Sequence, residues 1–202
     1  EKYGSENVTV EGIKDSELKR FSDGLIHKIS IALLPTYLVK YREKIKFLDG
    51  KYLSFAFNSF ITYVLAPFKI SHYIFRFFDR VFTGSKLFDE FFVKYKPDLF
   101  FSTDVFNPAD AVFLLSAKRH GVRTVGMVRS WDCTTNKNLL RLLPEKIMVN
   151  NEDIKRELVK YHDVKAKDIE IIGFPQFDSY IAEKPESREE FFKKLGLDSN
   201  KR

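Results

Sequence analysis

Cysteine occurs once in the 202 residues, at Cys133. That excludes an internal disulfide framework and a cysteine-rich zinc site, and it fits a reducing compartment. The nine glycines never stand two apart. The dinucleotide fingerprint G-x-G-x-x-G is therefore missing, as are the phosphate loop G-x-x-x-x-G-K-[ST] and the nucleophile elbow G-x-S-x-G. His27, His72, His120 and His162 lack metal-ligand spacing and read as surface or capping residues, so no metal is expected. A long uncharged stretch, residues 53–68, carries Ser54, Asn58, Ser59 and Thr62 and ends near Pro67. It is too short and too polar for a membrane span of about 20 residues. No signal-peptide pattern opens the chain, and a cytoplasmic location is expected. The first residue is Glu1 rather than Met, which suggests a piece of something longer.

Charge and aromatics are plentiful. Lys and Arg number 34 against 28 Asp and Glu, a formal net charge of +6. The cations are spread along the chain among acids, and neither a basic tail nor an aromatic RNA-binding signature accompanies them. Nucleic acid is therefore not an expected partner. At 44% hydrophobic and 15% aromatic, the chain has material for a sizeable core. Residues 52–92 mix many phenylalanines with Lys69, Arg76, Arg80 and Lys86. Two readings fit: buried helices whose cations face water, the favoured one, or a surface lying on an anionic membrane.

Residues 7–11 (NVTVE) read as a short strand, and residues 16–46 as helical with a kink or break at Pro35. From residue 85 onward the pattern becomes regular. Residues 98–103 (DLFFST), 123–128 (RTVGMV), 146–149 (KIMV) and 168–172 (DIEII) read as strands. Between the first two, Asn107 caps a helix that starts on Pro108 and ends in Lys118, Arg119, His120 and Gly121. Asn150 or Asn151 caps a second helix over residues 152–161. Strands alternating with helices predict an α/β, Rossmann-like parallel sheet with helices on both faces, preceded by an aromatic-rich helical insertion. Residues 182–187 form a polar linker before a last helix over residues 188–195.

Ligands of open parallel sheets bind beyond the carboxyl ends of the strands. That rule selects Ser102 to Asp104, Arg129 to Thr135, Asn150 to Glu152 and Phe174 to Asp178. Within the second segment Ser130, Trp131, Asp132 and Thr134 offer hydroxyls, the lone indole and a carboxylate. An indole stacks on a sugar ring, and a carboxylate can take a proton from an attacking hydroxyl. Equally, Trp131 can plug the core while Asp132 and Thr134 cap a helix. Asn151 opens a helix and suits either an anion or simple capping. Asp104 can orient or deprotonate an acceptor, or cap the helix near Asn107.

The succession VGMVRSWDCTTNK, PEKIMVNNEDIKRELVKYHDV and IEIIGFPQFDSY, within residues 98–180, resembles the N-terminal domain of GT-B glycosyltransferase-like proteins. Within these it is most similar to the surface-carbohydrate and CDP-glycerol glycerophosphotransferase-like group. The resemblance implies that residues 1–181 form the acceptor-side domain, with the aromatic helical region over about 52–95. Residues 182–202 would then lead to a donor domain holding a nucleotide sugar, with no other cofactor. It implies Asp132 and Asp104 as catalytic candidates. Ser130, Trp131, Thr134, Asn151 and Glu152 would line the cleft, and Pro175, Phe177 and Asp178 would lead into the hinge. The partner would be a cell-envelope glycan or lipid-linked acceptor. Cys133 stands where the resemblance leads one to expect Asn, and the loop lacks the His-Gly pair of polymerising glycerophosphotransferases, which speaks against polyol-phosphate transfer. A sugar-nucleotide 2-epimerase, a glycerophosphotransferase and a noncatalytic membrane-peripheral module are the alternatives.

Overall fold

The computed structural model describes residues 8–13, 24–82, 86–182 and 187–198. The chain divides into two compact units, Glu1–Ile171 and Ile172–Arg202. The first is a Rossmann-like α/β unit built on a four-stranded parallel sheet. Its strands are β1 (Leu99–Ser102), β2 (Arg123–Met127), β3 (Lys146–Val149) and β4 (Ile169–Ile171). Their spatial order follows the sequence, β1-β2-β3-β4. Because the order never reverses, no topological switch point lies among these strands.

The helices of this unit are α1 (Leu25–Ala32), α2 (Tyr37–Leu48), α3 (Tyr52–Phe60), α4 (Lys69–Phe82), α5 (Asp89–Tyr95), α6 (Pro108–Arg119), α7 (Cys133–Asn136) and α8 (Glu152–His162). A π-helical turn, Ile61–Leu65, continues α3. Pro35 separates α1 from α2, as the sequence predicts, and Thr36 caps α2 through Val39 N–H. The segment read as a strand over residues 7–11 carries no strand pairing at Val8–Glu11, where Val8 and Val10 are exposed; Asn7 lies outside the described residues. Residues 16–23 of the predicted helical stretch also lie outside them.

Local chemistry explains the best-defined elements. Asn107 Oδ1 accepts from Ala109 N–H at 2.9 Å, with Pro108 first in α6 and Asp110 in the opening turn. Gly121, at φ +69°, closes the turn after that helix, where a side chain would be strained. Register places Phe101 beside Val125 and Gly126 beside Ile147. Phe100, Ile147, Val149 and Ile169 therefore share the better-covered face. Phe100 packs there with Leu114, Leu115 and Leu142, and the other three with Ile154 and Leu158 of α8. Crossovers of one hand advancing in one direction bring their connections to one face, and burial follows that rule. On the opposite face Leu99 and Phe101 remain exposed.

A second apolar cluster joins Ala32 and Leu33 of α1 and its following turn to Ile61, Ala66, Phe75 and Leu139. The helical layer is tied to the loop after β2. Thr36 Oγ1 donates to Thr135 O at 2.7 Å, Arg42 Nη2 to Asn136 O at 2.5 Å, and Leu139 N to Ser30 O at 2.9 Å.

Helix α4 corrects the favoured reading of the aromatic stretch. Its buried positions are His72, Phe75, Arg76 and Asp79, whereas Tyr73, Ile74, Phe77, Phe78, Val81 and Phe82 are exposed. The mostly polar side faces inward because each of its charged groups meets a partner there. Arg76 donates from Nε to Leu140 O at 2.9 Å, from Nη1 to Asp163 Oδ2 at 2.9 Å and from Nη2 to His162 O at 2.8 Å. Both ring nitrogens of His72 face oxygen acceptors, Asp163 Oδ2 at 2.8 Å and Ala66 O at 3.0 Å. Burial works to raise the Asp163 carboxyl, but the His72 and Arg76 contacts hold it below the usual carboxylate range.

The second unit contains a 3-10 turn (Pro175–Phe177), α9 (Asp178–Ala182) and α10 (Arg188–Lys194). Ser187 and Glu190 form a reciprocal capping box at the start of α10.

Candidate functional site

Two loops at the carboxyl ends of β1 and β2 meet. Asp104, just past β1, is buried, and its Oδ1 accepts from Phe106 N–H at 3.1 Å. Lys137, just past α7, donates from Nζ to Asp104 Oδ2 at 2.8 Å. Burial works to lower the Lys137 ammonium, but the Asp104 carboxylate prevails and raises it, so the cation is secure at neutral pH. Around this pair opens a pocket of about 390 Å³, with His27, Arg42, Asn107, Asn136 and Asn138 also in its walls. The walls are part polar and part apolar, with two cations, a carboxylate and several amides converging on one space. Such a set suits a hydroxylated or anionic small molecule.

The Ser130 to Thr135 segment splits in two. Trp131 is 72% exposed, which removes the alternative that it plugs the core. Ser130 Oγ donates to Asp132 Oδ1 at 2.6 Å. That bond holds the Asp132 carboxyl below the usual range, so it is ionised at neutral pH. Asp132 makes no side-chain cap to α7; Asn136 Nδ2, on a residue that lines the pocket, lies 3.5 Å from Asp132 Oδ2. Thr134, by contrast, is fully buried, and its hydroxyl donates to Glu157 of α8. Cys133 is buried, and burial pushes its thiol up, away from thiolate chemistry.

Asn151 accepts from Ile154 N–H at 3.0 Å, the capping arrangement, and Glu152 follows in the exposed first turn of α8. Pro175, Phe177 and Asp178 belong to the second unit. There Phe174 and Phe177 set their rings 5.8 Å apart, and Asp178 opens α9.

Sequence reasoning missed four contributors to this corner: Arg42, Asn136, Lys137 and Asp110. Ser102 Oγ donates to Asp110 Oδ2 at 2.6 Å, yet burial prevails and raises the Asp110 carboxyl. Asp110 had a visible signal, a second carboxylate one helical turn past the cap at Asn107. Arg42 had none, since α2 reaches the loop after β2 only through tertiary packing. His72 and His162 also depart from expectation, being buried members of a hydrogen-bonded network rather than surface residues. Among the described residues no group of three or more His, Cys, Asp or Glu could hold a metal ion, and no helix is long and apolar enough to cross a membrane.

No family model, curated protein or solved structure matches the chain.

Proposed function

We propose that the chain supplies the acceptor-binding side of a glycosyltransferase. The reaction would move a sugar from a nucleotide-sugar donor to a cell-envelope glycan or lipid-linked acceptor, with the donor held by a separate domain. The observation that carries this reading is the Asp104–Lys137 pair in a part-polar pocket at the carboxyl ends of β1 and β2. An exposed indole and an ionised carboxylate stand on the loop that supplies Lys137. In this reading Trp131 stacks on an apolar sugar face. Asp132 accepts the hydrogen bond, and then the proton, of the attacking hydroxyl. Lys137 and Arg42 neutralise a phosphate or carboxylate on the acceptor.

Saturation-transfer NMR with soluble oligosaccharides and glycosyl phosphates tests the reading. Transfer from the Trp131 ring to the ligand is expected, and its loss in Asp132→Asn at an unchanged melting temperature. The 202 residues should not consume UDP-hexoses by themselves. Turnover by this chain alone would overturn the division of labour, and ligand contacts that bypass Trp131 would overturn the site.

A further inference from the structure

Amphipathic helices of globular proteins turn their apolar side to the core. Helix α4 does the reverse, and its inward side is fixed by the contacts of His72 and Arg76 described above and by the bonds of Asp79 to Arg141. Rotating the helix to hide Phe77 and Phe78 would strip those buried charges of their partners, so the apolar face is held outward. Beside it, α1, α3, the π-helical turn and α4 enclose an open groove of about 650 Å³, with Ile26, Ile29, Phe57, Phe60, Ile74 and Phe78 among its walls. Tyr52, Leu53, Tyr63, Val64, Phe68 and Ile70 extend the exposed apolar surface. An apolar surface this continuous marks a binding face.

The charge around it selects the occupant. Between residues 50 and 88 the only carboxylate is Asp79. Asp79 is buried against Arg141, while Lys51, Lys69, Arg80 and Lys86 are exposed. Within residues 50–88 the exposed charges are thus all cationic, with the exposed Asp49 just outside that stretch, 3.9 Å from Lys51. A two-fold contact with a second copy would bring these cations against their own kind. An anionic lipid leaflet matches both features, with headgroups for the rim and acyl chains for the face and groove.

We propose that this unit docks on an anionic bilayer through the outward face of α4, sunk about 5–10 Å into the headgroup and acyl boundary, with the groove receiving lipid hydrocarbon. The inference stands on α4 and its rim, and does not depend on the transferase reading.

Flotation of the purified chain with phosphatidylcholine vesicles, with and without phosphatidylglycerol, tests it. Flotation is expected with the anionic vesicles and not with phosphatidylcholine alone. The exposed double substitution Phe77→Asp/Phe78→Asp should lower the bound fraction about ten-fold or more, since charge replaces the inserted rings. Lys69→Glu/Arg80→Glu, which leaves the apolar face intact, should also abolish anionic selectivity. In an Ile74→Trp/Trp131→Phe chain, brominated acyl chains should quench the new indole. Failure to float, binding that survives both double substitutions, or flotation without quenching would overturn the proposal. So would a dimer in light scattering that dissociates in Phe77→Asp/Phe78→Asp while no vesicles are bound.

Discussion

Arg141 holds Asp79 with two buried hydrogen bonds, Nε to Oδ2 at 2.8 Å and Nη2 to Oδ1 at 2.6 Å. Both side chains are only 4% exposed. The pair joins α4 to the loop that follows α7, so it couples the aromatic helical layer to the sheet unit. Removing one partner leaves a charge in the interior. Asp79→Ala should therefore destabilise the fold by about 3–5 kcal/mol, whereas Asp79→Leu/Arg141→Met should recover most of that loss. Urea unfolding of the three proteins measures both effects.

His162 makes stability depend on pH. Its Nε2–H donates to Thr134 O at 2.7 Å while Nδ1 accepts from Leu140 N–H at 3.2 Å, so the buried ring is held neutral. Burial pushes its pKa down from 6.5 to about 3. A histidine depressed in the folded state binds its proton first in the unfolded chain. The stabilisation is complete above pH 6.5 and is lost as pH falls toward 3, at about 1 kcal/mol per pH unit. Denaturant midpoints between pH 7 and 5 should fall for the native chain and fall less steeply for His162→Gln.

Gly126 stands where β2 passes the residue after Asp104. A Cβ there would sit 2.1 Å from Val105 Cγ1 and 3.2 Å from Pro144 Cγ. Gly126→Ala should cost about 1–3 kcal/mol through overpacking, and Gly126→Ala/Val105→Ala should restore part of it. Thermal melts of the two variants distinguish this steric cause from a general intolerance of the strand.

These relationships divide by how far apart in sequence their causes lie. Helix α6 was legible because its cap, first-turn proline and terminal glycine are neighbours in the chain. The sheet was legible because strands and helices alternate at even spacing. Helix α4 was also legible as a helix, but not which way it faces. His72 reads as a surface or capping residue and Arg76 as a cation facing water until Asp163 is brought beside them, and no local pattern announces that meeting. The same holds for the pocket. Asp104 was singled out by its place after a strand, and Trp131 and Asp132 by their company. Arg42 and Lys137 enter because Thr36 and Arg42 dock α2 on the carbonyls of Thr135 and Asn136.

Lys137 anchors Asp104 at the pocket, and its removal should weaken acceptor binding as well as stability. Lys137→Ala should raise the dissociation constant for a glycosyl phosphate by about ten-fold or more, from loss of a charge-assisted contact. The melting temperature should fall as well, because Lys137 is partly open to water but the Asp104 carboxylate it leaves behind is buried. Calorimetric titration beside a thermal melt separates the two effects.

The lone tryptophan provides the most direct measurement of all. Trp131 is exposed on the loop that carries Asp132, so its emission reports on that loop alone. Titration with oligosaccharides and glycosyl phosphates should give a saturable shift of Trp131 emission that is lost in Asp132→Asn and weakened in Lys137→Ala. Emission that stays constant to saturating ligand, or shifts equally in both variants, would contradict an acceptor site at the carboxyl ends of β1 and β2.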